Sequence, residues 1–93
     1  MRQWQLRTYR VQPGELEQWI EEWRATIKPL RETTGFEVLG PWVGEGDLFV
    51  WLIGHDDFDA ADAAYHASPE RAALDPDPAR LLADIQTVML EAR

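Results

Sequence analysis

Two β-rich runs sit at the middle of the chain, Gly35 to Val43 and Leu48 to His55, joined by Gly44, Glu45, Gly46 and Asp47. Such runs across a short glycine-rich link predict a hairpin. In the second run both parities are apolar, with Leu48, Val50 and Leu52 alternating against Phe49, Trp51 and Ile53. Successive side chains point to opposite faces of a strand, so this strand needs cover on both sides. The expected arrangement puts Leu48, Val50, Leu52 and the small Gly54 against helices. Phe49, Trp51, Ile53 and His55 then look toward a partner or a ligand.

Residues Arg2 to Val11 also alternate, with Gln3, Gln5, Arg7, Tyr9 and Val11 on one side and Trp4, Leu6, Thr8 and Arg10 on the other. That period of two predicts a first strand with one mostly polar face. From Pro13 to about Arg31 the apolar residues Leu16, Trp19, Ile20, Trp23, Ile27 and Leu30 follow helical spacing. Glutamates load the start of this helix, while Arg24, Lys28 and Arg31 load its end as a solvated face that complements the helix dipole. Pro29 is expected to kink or fray its last turn. A second helix is expected from about Phe58 to Ala67, capped by Asp56 or Asp57, and Ser68 and Pro69 start a short turn to Leu74. The tail fits a helical stripe as well as a strand. A strand from about Ile85 to Glu91, after a helical turn to about Ala83, is preferred because strand, helix, hairpin and helix need a closing strand to complete a split βαβ unit.

Composition narrows the function classes. Ninety-three residues form one domain, residues 1–93, with five Trp, three Phe and two Tyr to place. A formal charge of −8 argues against nucleic acid and anionic membranes, since both require clustered Lys and Arg. The absence of Cys removes disulfides and thiolate chemistry. No apolar run approaches a bilayer-spanning length and the N-terminus shows no signal-peptide pattern, so a cytoplasmic protein is expected.

Leu6, Arg7, Thr8 and Tyr9, followed by Val11, Pro13, Gly14, Leu16, Trp23, Pro29 and Leu30, resemble the opening of NIPSNAP domains. Their pattern is Glu-Leu-Arg-x-Tyr, a Pro-Gly turn and a helix ending in Pro-Leu. Gly35, the Gly46 and Asp47 turn and the apolar strand ending at Asp56 continue the likeness over most of the chain. The resemblance implies an α+β, ferredoxin-like βαββαβ protomer, with a four-stranded antiparallel sheet and helices on one face. It also implies a homodimer in the manner of the dimeric α/β barrels related to antibiotic biosynthesis monooxygenases, with sheets packed around a central cavity. Gln5 stands where the family carries an acid, and the chain has no Asn, which several oxygenase and haem-degrading relatives place in the cavity.

Gln5, Arg7 and Tyr9, with Phe49, Trp51, Ile53 and His55 if that parity faces the same cavity, form the candidate site. Arg7 would hold an anionic or enolate oxygen, Tyr9 or His55 would move a proton, and Trp51 would stack on a flat substrate. His66 lies in a His-x-Ser-Pro turn similar to one in monooxygenase-like relatives, where the histidine can border the cavity; ending the helix is a sufficient alternative role. Asp59, Asp62 and His66 share a helix face, but a capped, solvated helix start explains them without a metal, and no cofactor is expected. The expectation is a homodimer whose cavity binds a hydrophobic or aromatic compound, extending to a cofactor-independent oxygenase or isomerase. The alternative is a non-catalytic interaction module whose aromatics serve only the dimer interface.

Overall fold

The computed structural model describes residues 1–93. Strand β1 (Gln3–Val11) leads through the Pro13–Gly14 turn into helix α1 (Leu16–Glu22). The helix continues through a π-helical turn, Trp23–Ile27, into α2 (Lys28–Thr33). Pro29 sits in the first turn of α2 without fraying it. The π-turn immediately before it carries the Lys28 N–H back to the Trp23 carbonyl, so the wider turn, not a kink, precedes the missing proline donor.

The hairpin follows as β2 (Glu37–Gly44) and β3 (Leu48–His55), then α3 (Phe58–Ala67), a single turn α4 (Pro69–Ala72), a 3-10 turn (Pro78–Leu81) and β4 (Leu82–Leu90). The tail is therefore strand, beginning three residues before the expected Ile85. The Ser68 cap forms as expected, its hydroxyl accepting from the Arg71 N–H at 3.2 Å. At the start of α3, Asp57 occupies the cap position without a side-chain bond. Gln3 of β1 supplies the acceptor instead, taking the Phe58 N–H at 2.9 Å.

All strand pairs are antiparallel in the order β2-β3-β1-β4, a ferredoxin-like α+β sheet with β3 and β1 at its centre. The turn between β2 and β3 holds Gly46 and Asp47 at positive φ, and Arg10 pins it through the Glu45 and Gly46 carbonyls at 3.1 and 2.8 Å. In β2 a bulge between Leu39 and Trp42 brings Trp42 opposite Val50, and Leu39 lies opposite Leu52.

The orientation of β3 is the reverse of the sequence expectation. Phe49, Trp51 and Ile53 are at most 1% exposed and face the helices. Trp23 meets Phe49 at 5.2 Å and Trp51 at 5.3 Å, both edge-on. Volume decides this: the wider aromatic set fills the space under a helix that brings its own Trp19 and Trp23. Leu48, Val50 and Leu52 face away, and Gly54 makes room for the Trp4 ring instead of a helix, a Cβ there meeting that ring at 2.7 Å.

Candidate functional site

Direct pairing of Gln5 with Ile53, Arg7 with Trp51 and Tyr9 with Phe49 puts all six on one face of the sheet, the face covered by the helices. The polar side of β1 is thus an inner side. Arg7 lies along it, its Nε donating to the Tyr9 hydroxyl at 2.7 Å and Nη1 to Gln5 Oε1 at 2.6 Å. The guanidinium carbon stands 5.5 Å from the Tyr9 ring centroid and 5.6 Å from that of Trp51. No carboxylate pairs with it, whereas Arg2, Arg31, Arg71 and Arg80 each have one.

The helices bring a second arginine toward this row. Arg31 follows Trp23 and Ile27 at intervals of four residues and shares their buried stripe, so it is 1% exposed and not part of the solvated face. Its guanidinium lies 3.7 Å from the Tyr65 ring centroid and 4.8 Å from that of Phe36, and donates to Asp62 at 2.7 Å. Burial lowers the Arg31 proton affinity and the Asp62 hydrogen bond opposes this. Burial raises the Tyr65 pKa, with Arg31 and Arg71 opposing, so the phenol stays protonated at neutral pH. His66 Nε2 stands 3.4 Å from the same Asp62 oxygen. Its pKa is lowered by burial, against Asp62 and together with Arg31, Arg7 and Arg71, so the imidazole is neutral at pH 7.

These side chains line a partly open cavity of about 120 Å³ between sheet and helices. Arg7, Tyr9 and Trp51 form its sheet side, with Ile85 and Leu82 of β4; Arg31, Tyr65, His66 and Arg71 belong to its helical side. Three residues of the lining carry buried N–H groups with no acceptor, namely Arg31 Nε, Trp19 Nε1 and Trp51 Nε1.

The structure therefore brings Arg7, Tyr9, Trp51 and His66 together at one cavity and leaves the other four expected residues, Gln5, Phe49, Ile53 and His55, outside its lining. Phe49 and Ile53 are core residues with no exposure. His55 ends β3, packs edge-on against Phe36 at 5.3 Å, and accepts the Asp57 N–H on Nδ1 at 2.8 Å, which makes it a turn residue. Gln5 reaches the cavity only through its hydrogen bond from Arg7. Asp62 is engaged by Arg31 and His66, and no group of three potential metal-binding side chains forms. Arg31, Tyr65 and Arg71 were missing from the sequence-derived site. An arginine on an apolar helical stripe was the available signal for the first of them.

Residues 4–90 match the family model for NIPSNAP. The chain belongs to the NIPSNAP family. No curated protein matches the sequence. Among solved structures, a NIPSNAP domain protein from Burkholderia xenovorans is 20% identical, with a TM-score of 0.85 over 98% of this chain and 94% of that one. A NIPSNAP family protein from Agrobacterium tumefaciens is 14% identical, with a TM-score of 0.87 over 100% of this chain and 94% of that one. A candidate antibiotic biosynthesis monooxygenase from Nitrosomonas europaea is 13% identical, with a TM-score of 0.76 over 98% and 89% of the two chains. At these identities the likeness is one of fold, and it agrees with the ferredoxin-like sheet of this NIPSNAP chain. No helix is long and apolar enough to cross a membrane.

Proposed function

We propose that this protein is a homodimeric small-molecule-binding protein whose ligand lies in the cavity between sheet and helices, beside Arg7, and that its chemistry is that of a cofactor-independent oxygenase or isomerase. The observation that carries this is an arginine with no carboxylate partner, held flat by Gln5 and Tyr9 at a cavity with aromatic walls. Binding cavities combine apolar walls with a few convergent polar groups, and this one has both. The fold shared with a candidate monooxygenase supports the chemical class.

His66 is the base and Arg7 the oxyanion partner. A substrate C–H proton passes to the neutral His66 imidazole while the carbonyl electron pair moves to oxygen, where Arg7 holds the charge. Return of that proton to a different carbon completes an isomerisation. In the oxygenase variant dioxygen from solution is the co-reactant: the enolate carbon is oxidised, dioxygen is reduced, and the His66 proton completes a hydroperoxide.

A panel of small enolisable compounds, neutral and acidic, tests the binding step by thermal shift. Ligands should raise the melting temperature of the native protein but not that of Arg7→Met. The second reading is a non-catalytic module; its aromatics do not serve only a dimer interface, because Tyr9, Trp19, Trp23, Phe49 and Trp51 pack against one another within the protomer, a packing that stands without a ligand. It predicts no ligand response in either protein.

A further inference from the structure

The polar groups around the cavity are unbalanced. Three guanidiniums, two phenols, a histidine and two indoles line it, and no carboxylate belongs to the lining. Two of the arginines are paired outside it, Arg31 with Asp62 and Arg71 with Asp77, which leaves the Arg7 charge uncompensated. This is a local positive excess in a chain whose formal charge is −8. The orphaned donors make a second, independent observation. Arg31 Nε, Trp19 Nε1 and Trp51 Nε1 are all buried without an acceptor, and an unmet buried donor costs about 1–3 kcal/mol. Three of the four such donors belong to residues lining this cavity, Trp23 Nε1 being the exception, and they favour an acceptor-rich occupant. His66 is held neutral partly by the same three arginines, so their fields converge on one place.

Size and wall chemistry narrow that occupant. A water's share of liquid volume is about 30 Å³, so the space corresponds to roughly four waters, or an organic molecule of about four to six non-hydrogen atoms. Ile27, Leu82, Ile85 and the Trp51 ring give it an apolar part that an inorganic anion could not use. A planar guanidinium also matches a carboxylate in a forked, two-point contact.

We propose that the cavity selects a short monocarboxylate, of about two to four carbons, with its carboxylate at Arg7 and its tail against Trp51 and Ile85. The proposal rests on the small-molecule reading above and names its ligand class; a 2-oxo acid would also supply the enolisable carbon, and its vicinal carbonyl and carboxylate oxygens can both lie at the Arg7 guanidinium.

The test is an NMR titration of the full chain, following the indole N–H signals of Trp19 and Trp51 and the Arg31 Nε–H signal. The probes are butyrate, pyruvate, the neutral isostere butyramide, and inorganic phosphate. Butyrate or pyruvate should shift these signals saturably, at least tenfold more tightly than butyramide or phosphate. Arg7→Met should weaken the acids at least tenfold, while Arg2→Gln, a surface arginine paired with Asp56, should change nothing. Equal binding of butyramide would overturn the carboxylate assignment and leave the small-molecule cavity standing. Equal binding of phosphate would mean inorganic anion capture only and overturn it as well. Silence from every probe would overturn both. The comparison of acid with amide uses the native protein, so it decides the matter even if Arg7→Met fails to fold.

Discussion

Arg31 and Asp62 form one ion pair but have unequal surroundings, the arginine side chain 2% exposed and the aspartate 30%. Removing the aspartate leaves a buried guanidinium without a counter-charge, whereas removing the arginine leaves a carboxylate that water can reach. Asp62→Ala should therefore destabilise the fold by about 2–3 kcal/mol, somewhat below the ~3–5 kcal/mol for breaking a fully enclosed pair. Arg31→Met should cost less, and urea denaturation of the two variants checks the order. His66 has a lowered pKa in the folded protein, so below its ordinary value the unfolded chain takes up the proton more readily than the folded one. Stability should fall as pH drops through that value, with a slope reduced in His66→Gln. Burial lowers the His66 pKa most; among the charged groups, Asp62 on the same helix opposes the shift and Arg31, Arg7 and Arg71 on the elements facing it add to it. A bound carboxylate would restore protonation, so acid affinity should rise over the same pH interval, measured by titration calorimetry.

The elements are tied by a few specific contacts. Arg80, in the 3-10 turn before β4, grips Glu22 at the end of α1 with two bonds of 2.7 and 2.9 Å. The Arg80 hydrogen bond holds the Glu22 carboxyl below its ordinary pKa, so this contribution is present at neutral pH and is lost as pH falls through that lowered value. Arg80→Ala should remove that part of the acid transition in a pH melt. Gly54 makes a different kind of tie, since a Cβ there would strike Trp4 on the face opposite the helices. Gly54→Ala should push the ring outward at a cost of about 1–3 kcal/mol. It should weaken association of two copies more than it weakens the protomer, which sedimentation and denaturation together would separate.

Across the whole molecule, helices cover one sheet face and leave an apolar one on the other. Trp4, Leu6, Val50 and Leu52 line its centre, and Leu39, Trp42, Val88 and Leu90 extend it with exposures of 40 to 54%. Monomeric proteins rarely leave so continuous an apolar patch open, and a second sheet packed face to face would cover it. The proposed homodimer places its interface here, so the protein should sediment as a dimer at micromolar concentration. Trp42→Glu combined with Val88→Glu should give a folded monomer, because both side chains are about half exposed within the protomer. A double variant that remains dimeric would remove this face from the interface.

The order of elements up to α4 was legible in the chain because it rests on local signals: the period of β1, the Trp19, Trp23, Ile27 stripe, the glycine turn at Gly46 and the Ser68-Pro69 cap; β4 followed only from the need for a closing strand. That Arg7 and Trp51 share a face was a condition of the sequence reading, and the register of β1 against β3 meets it by pairing them directly. What the chain could not reveal was which face that is. Both parities of β3 are apolar, so alternation carries no information there, and the polar row of β1 suggests an outward face although Arg7 and Tyr9 line a partly open cavity under the helices. Only packing the Trp19 and Trp23 rings against the sheet decides the matter, since their volume requires Phe49 and Trp51 beneath them. The same contact, between elements distant in sequence, brings Arg31 and Tyr65 to Arg7 and lines one cavity with residues that no short motif connects.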